Sequence, residues 1–129
     1  MKIESAADYF AGMESDDHQV RRSAVTGEAG AELWEAALRE YPDRRGAVAL
    51  NKNLPPEILD ALARDDDPRI RRLIAQKRRL SEASFNLLAR DGDEGVRLVL
   101  ARNPKLPDVV REVLLQDEWS EVREAAAGR

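Results

Sequence analysis

The sequence contains no cysteine and one histidine, His18. Without cysteine the chain cannot form disulfides, iron–sulfur clusters or cysteine-based zinc sites, and it has no thiol nucleophile. His18 has no second histidine or cysteine with which to bind zinc, and no nucleophile-elbow motif or glycine-rich phosphate loop accompanies it. We therefore expect a protein that is not an enzyme and that holds no cofactor or metal.

Aromatic residues and long apolar runs are also scarce. Aromatic side chains make up 5% of the 129 residues, so a core must be built mainly from aliphatic residues and alanine. No apolar run approaches membrane-spanning length, and Glu4 and Asp8 interrupt the start of the chain, which argues against a signal peptide. These features favour a cytoplasmic protein that does not enter membranes.

Basic residues are outnumbered by acidic ones. There are 21 lysines and arginines against 25 aspartates and glutamates, which gives a formal net charge of −4. A general nucleic-acid binder normally carries a basic surplus. The balance therefore argues against that class.

What the sequence does contain is a repeat with a period of 26 residues. A period in this range is typical of solenoid proteins, whose repeats bury their apolar faces against one another. Five sets of residues recur at this spacing, namely Asp65, Asp91 and Asp117; Ile70, Val96 and Val122; Arg71, Arg97 and Arg123; Ala75, Ala101 and Ala127; and Leu54, Leu80 and Leu106.

Capping and periodicity predict two short helices in each repeat. Asp67 is a helix cap with Pro68 in the first helical position, and Ser81 caps the partner helix. We therefore predict one all-α solenoid domain over residues 1–129. Its predicted parts are an N-terminal capping helix in 1–15, a degenerate repeat 16–41, repeats 42–65, 66–91 and 92–117, and a half repeat 118–129. The residues predicted to face the core include Leu62, Leu80, Leu87, Leu88, Ala89 and Leu114.

Two segments resemble a known family. They are Asp65-Asp66-Asp67-Pro68-Arg69-Ile70-Arg71-Arg72-Leu73-Ile74-Ala75 and Asn103-Pro104-Lys105-Leu106-Pro107. From about Pro42 to Ala127 the chain resembles the leucine-rich repeat variant proteins of bacteria, which are relatives of HEAT-like α-solenoids. The resemblance implies a right-handed superhelix of about four repeats. Each repeat is a pair of short helices, one of them 3₁₀-like. Some members carry an N-terminal iron–sulfur cluster, which a chain without cysteine does not share.

Four arginines at corresponding positions form an arginine ladder, namely Arg45, Arg71, Arg97 and Arg123. The functional interpretation is an anion-binding stripe, because guanidinium groups match carboxylates and phosphates. The structural interpretation is that each arginine pairs with the acidic turns at Asp65, Asp91 and Asp117. We favour the structural interpretation, because a residue present in every repeat behaves as scaffolding and ion-pair networks imitate sites.

Binding sites are expected where one repeat departs from the others. The basic turn, Gln76-Lys77-Arg78-Arg79, adds its cations to those of Arg69, Arg71 and Arg72 just before it. This local reversal of sign suits an acidic partner or a phosphate backbone, and a solvated turn balanced by nearby aspartates explains it equally well.

Trp119 replaces a capping aspartate and is either an interface anchor or a cap on the C-terminal edge; Trp34 and Tyr41 carry the same ambiguity. The predicted partner-binding residues are Arg69, Arg72, Lys77, Arg78, Arg79 and Trp119.

These observations predict a non-catalytic protein-binding module whose partner has an acidic surface. The most concrete hypothesis is an immunity protein or inhibitor that blocks a bacterial toxin or enzyme. Nucleic-acid binding through the arginine ladder and self-assembly into a scaffold are the alternatives. We expect a monomer or a weak homo-oligomer.

Overall fold

The computed structural model describes residues 31–128, and all regular secondary structure in them is helical. No β-strand occurs in this part of the chain, so the predicted all-α class is confirmed there. The predicted capping helix in 1–15 lies outside the described residues, as do residues 16–30 of the degenerate repeat. In chain order the helices are α1 (Ala31–Glu40), a 3₁₀-helix (Pro42–Arg44), α2 (Arg45–Ala49), α3 (Pro56–Leu62), α4 (Pro68–Ala75), α5 (Glu82–Ala89), α6 (Glu94–Ala101), α7 (Asp108–Leu114) and α8 (Ser120–Gly128).

The chain divides into two compact units, with the boundary between Ile58 and Leu59 in α3. In the first unit, α1 packs against both the 3₁₀-helix and α2. Trp34 on α1 is fully buried, so it belongs to the core of this unit and is not exposed as an interface anchor. The single domain over 1–129 and its repeat boundaries stay predictions.

In the second unit the helices form two layers. Helix α6 packs between α4 and α8 in one layer, and α5 packs on α7 in the other. Contacts of α5 with α4 and α6, and of α7 with α6 and α8, join the layers. Each helix is too short to bury an apolar face alone, so stacking of successive pairs supplies the core, as in an α-helical repeat fold.

Side-chain caps start the helices where the sequence predicts them. The Asp67 Oδ1 accepts a hydrogen bond from the Arg69 N–H at 2.9 Å, and the Ser81 Oγ accepts one from the Ser84 N–H at 3.1 Å. Such caps satisfy backbone donors that have no partner inside the helix. They fix where each helix begins, and therefore which side chains face the core.

The core of the second unit repeats from one helix pair to the next. Leu62, Leu88 and Leu114 occupy equivalent positions and are each at most 2% exposed, as predicted. Leu87 was predicted to face the core as well, and that prediction is wrong because its side chain is 41% exposed. It lies about 100° around α5 from Leu88, away from the row that buries Phe85 and Leu88.

Candidate functional site

The arginine ladder pairs with acidic turns across successive repeats. Arg71 donates from Nε to Asp91 Oδ2 at 2.7 Å and from Nη2 to Asp91 Oδ1 at 3.1 Å. One repeat later, Arg97 donates in the same way to Asp117 Oδ2 at 2.8 Å and Oδ1 at 3.4 Å. Each pair is therefore a two-pronged guanidinium–carboxylate contact, the geometry that gives such pairs their strength and direction.

The ladder arginines also satisfy the backbone of their own repeat. Arg71 Nη1 donates to the Asp65 carbonyl oxygen at 2.6 Å, and Arg97 Nη1 donates to the Asp91 carbonyl oxygen at 2.6 Å. Asp91 thus accepts from both arginines, from Arg71 through its carboxylate and from Arg97 through its carbonyl oxygen. The ladder ties consecutive turns together, and the predicted pairing of these arginines with the acidic turns is confirmed for Arg71 and Arg97.

Low exposure makes these pairs part of the framework of the second unit. The side chains of Arg97 and Asp117 are 11% and 8% exposed, and those of Arg71 and Asp91 are 18% and 8% exposed. The hydrogen bond from Arg71 to Asp91 raises the pKa of Arg71, so its guanidinium stays charged. Because their charges are neutralised within the chain, Arg71 and Arg97 offer little to a ligand.

Arg69 and Arg72, both predicted to bind a partner, already have carboxylate partners. Arg69 pairs with its own capping residue Asp67 at 3.0 Å, a contact that raises the pKa of Arg69. Arg72 reaches across to Asp93 at 3.0 Å, passing over Gly95, where a Cβ atom would lie 2.5 Å from Arg72 Nη2. The absence of a side chain at residue 95 therefore makes room for this inter-repeat ion pair.

Asp93 combines two roles at the start of α6. Its Oδ1 caps the helix by accepting from the Val96 N–H at 2.9 Å, and it also accepts from Arg72 Nη2 at 3.0 Å. Burial acts to raise the pKa of Asp93, but the hydrogen bonds from Arg72 and Val96 outweigh it and lower that pKa. The carboxylate is therefore held in its charged form.

The basic turn places its residues in different environments. Arg78 and Arg79 are exposed, and neither makes an ion pair or a side-chain hydrogen bond within residues 31–128. Lys77 is half-buried, and its carbonyl oxygen accepts a hydrogen bond from Asn103 Nδ2 at 2.8 Å. Lys77 therefore helps to hold the fold, whereas the two arginines extend into solvent.

Asn103 brings a second basic turn against the first. Its side chain is buried, and Nδ2 also donates to the Ala75 carbonyl oxygen at 2.9 Å, while Oδ1 accepts from the Lys105 N–H at 2.8 Å. The turns that join α4 to α5 and α6 to α7 are thereby held side by side. We call the four exposed cations on these turns the basic edge, namely Arg78, Arg79, Arg102 and Lys105.

Sequence reasoning missed Asn103 and the second half of the basic edge. The available signal was the asparagine that occurs at both Asn51 and Asn103, two 26-residue periods apart, with Lys77 at the position between them. Asn51 is also buried, and its Oδ1 accepts from the Asn53 N–H at 2.7 Å. An asparagine that recurs in a turn satisfies buried backbone groups, and this was visible in the sequence.

Trp119 lies in the turn immediately before α8. It is half-buried, and it shares a surface pocket with Glu94, Arg97 and Glu118. Its N–H donates to Asp117 Oδ1 at 2.9 Å, so the backbone of the turn matches that of the earlier repeats. Trp119 is thus close to the ladder and belongs to a different turn from the basic edge.

Within the described part of the chain, no three histidine, aspartate or glutamate side chains cluster closely enough to hold a metal ion. The recurring aspartates are instead engaged in capping and in ladder contacts. No helix formed by residues 31–128 has the length and apolar character needed to cross a membrane.

The comparisons with known proteins agree with the repeat architecture. Residues 42–67 match the family model of the leucine rich repeat variant. The resemblance to this family is therefore confirmed for that repeat. Repeats of this family generally mediate protein interactions. No curated protein and no solved structure matched the chain.

Proposed function

We propose that this chain is a non-catalytic protein-interaction module that binds an acidic partner surface through the basic edge. The observation that carries the proposal is the pairing pattern of its cations. Arg78, Arg79, Arg102 and Lys105 are exposed on adjacent turns and have no carboxylate partner among residues 31–128. The match to a family of interaction repeats agrees with this function.

Uncompensated charge on one edge favours a partner of opposite sign. The chain as a whole carries a net charge of −4, so the basic edge is a local exception to its surroundings. Complementary charge of this kind speeds association and excludes partners of the wrong sign. Because Asn103 fixes the two turns against each other, the cations are presented on a rigid frame, which lowers the entropy lost on binding.

We further propose that binding blocks the partner, as an immunity protein or inhibitor does with a toxin or an enzyme. A small module that covers an acidic patch inhibits its partner when that patch contains or borders the partner's functional site. An activity assay of the captured partner, with and without this chain, tests this part separately from binding.

Charge reversal at two positions of the basic edge tests the interaction. The variant is Arg78→Glu with Arg79→Glu, and the matched control is Arg64→Glu with Arg90→Glu. Arg64 and Arg90 are also exposed cations of the second unit, and neither has an ion pair among the described residues. Each variant replaces two arginines by glutamates, so both change the net charge equally. A partner captured from native cells after nuclease treatment is then titrated with each protein by calorimetry at low and high salt.

We expect the edge variant to lose at least about ten-fold in affinity, or about 1.4 kcal/mol, at low salt. The control should lose less than about two-fold. Equal affinities for the edge variant and the wild type would contradict the proposal. Capture that disappears with nuclease, with an affinity for DNA or RNA that falls steeply with salt, would instead identify a nucleic-acid binder.

A further inference from the structure

Arg123, the last arginine of the ladder, makes only half of the contacts that Arg71 and Arg97 make. Arg123 Nη1 donates to the Asp117 carbonyl oxygen at 2.6 Å, which is the backbone contact that Arg71 and Arg97 also make. In Arg71 and Arg97 the opposite edge of the guanidinium, Nε and Nη2, is occupied by an aspartate carboxylate. Among the described residues, no carboxylate accepts from this edge of Arg123.

The alanine that lies four residues after each of these arginines shows a matching difference in exposure. Ala75 and Ala101 lie four residues after Arg71 and Arg97 and are buried, whereas Ala127, four residues after Arg123, is exposed. Arg123 itself is exposed as well. The outer side of α8 therefore presents, in the described structure, a face that is covered in α4 and α6.

The contacts of Arg71 and Arg97 specify what fits the edge of Arg123 that no carboxylate of residues 31–128 occupies. In both of them the ligand is a carboxylate whose Oδ1 also accepts a backbone N–H two residues further on. Asp91 Oδ1 accepts from the Asp93 N–H at 2.9 Å, and Asp117 Oδ1 accepts from the Trp119 N–H at 2.9 Å. The ligand in each case is an aspartate in a tight turn that immediately precedes a helix.

We propose that the Nε–Nη2 edge of Arg123 binds a carboxylate of a partner protein, carried on an acidic turn at the start of a helix. The inference rests on the proposed function, since it adds a second contact to the same kind of acidic partner. The backbone contact with Asp117 fixes the plane of the guanidinium before the ligand arrives. That preorganisation favours a planar two-pronged carboxylate over a ligand that needs only a point charge.

Arginine side-chain NMR tests the site with a defined probe. A tetra-aspartate peptide is titrated into the full chain labelled with ¹⁵N, and the Nε–Hε signals of Arg71, Arg97 and Arg123 are followed. We expect the Arg123 signal to shift saturably while the other two stay in place, because their edges are occupied. Sodium chloride at matched ionic strength controls for screening and should not produce the shift.

Variants separate this site from the basic edge. Arg123→Gln should remove the saturable shift, and Arg123→Lys should weaken it, because an ammonium cannot bind a carboxylate with two parallel donors. Arg78→Glu with Arg79→Glu should leave the Arg123 shift intact even if it abolishes partner binding. Circular dichroism confirms that each variant is folded.

With the captured partner, Arg123→Gln should lower affinity by about two- to five-fold, the range expected for an exposed ion pair. An Arg123 signal that does not move at peptide concentrations that saturate the basic edge would overturn this inference and leave the proposed function standing. A concentration-dependent dimer that Arg123→Gln dissolves would also overturn it, because the occupant would then be a second copy of this chain.

Discussion

Removing one ladder arginine should destabilise the second unit far more than removing an exposed one. Arg97→Ala deletes the contacts to the Asp117 carboxylate and to the Asp91 carbonyl oxygen together. Asp117, whose side chain is only 8% exposed in the intact protein, then loses its charged partner. An unpaired carboxylate in that position is the main source of the expected loss.

The structure sets the size of the effect. Breaking a buried ion pair by removing one partner costs about 3–5 kcal/mol. Asp117 keeps its hydrogen bond from the Trp119 N–H, and solvent reaches the edge of the pair once the arginine is gone. We therefore expect about 3 kcal/mol, the lower end of that range, which corresponds to a melting temperature lower by roughly 10 °C for a domain of this size.

Thermal and urea unfolding followed by circular dichroism measure this loss. The matched control is Arg78→Ala, which removes an exposed arginine without an ion pair in the described residues and should change stability by at most about 0.5 kcal/mol. The double variant Arg97→Ala with Asp117→Asn should recover part of the loss. Asparagine keeps the acceptor for the Trp119 N–H and removes the uncompensated charge.

Three results would refute this prediction. If Arg97→Ala cost no more than Arg78→Ala, the ladder would contribute nothing to stability in spite of its low exposure. If Asp117→Asn failed to recover any stability in the Arg97→Ala background, the loss would not arise from the carboxylate left behind. A loss of partner binding without a change in melting temperature would assign Arg97 to the binding surface instead.

Three further predictions concern the core, the acid range and the contact between turns. Leu88→Ala should cost about 2–5 kcal/mol in urea unfolding, whereas the exposed neighbour Leu87→Ala should cost well under that; equal losses would contradict the packing. Folding lowers the pKa of Asp93, so the contribution of this carboxylate to stability is present above its unfolded pKa of about 3.9 and is lost as pH falls through the lower folded pKa. The stability advantage of the wild type over Asp93→Asn should therefore shrink below about pH 4. A constant difference from pH 7 to pH 3 would contradict this. Asn103→Ala should cost about 1–3 kcal/mol because it leaves buried backbone groups without partners, and an unchanged urea midpoint would contradict the bridging role.

Local chemistry in the sequence was sufficient for the helices and the core positions. The caps at Asp67 and Ser81 are formed by the side chains that the sequence indicates, since a cap depends on residues only two or three positions away. The repeated leucines at 62, 88 and 114 are buried because equivalent positions in stacked repeats have equivalent neighbours. Leu87 was predicted to be buried because it is next to Leu88 in the sequence, but neighbouring residues of a helix lie about 100° apart around its axis.

The candidate surfaces needed more than the pattern. The sequence grouped Lys77 with Arg78 and Arg79 as one basic turn. Only the structure shows that Lys77 is half-buried, with its carbonyl oxygen bound by Asn103, while the two arginines are exposed. Arg69, Arg72, Arg78 and Arg79 look alike in sequence, and all four are exposed. Their availability to a partner depends on whether a carboxylate lies within reach in space.

The sequence by itself determined the helical class and the 26-residue period, and it favoured pairing of the recurring arginines with the recurring aspartates. Only the tertiary structure decided which atoms make those pairs. Arg71 uses the backbone of Asp65 and the carboxylate of Asp91, a division set by the offset between stacked helices. That offset depends on how side chains of different repeats pack together, and no segment of the chain taken alone contains this information.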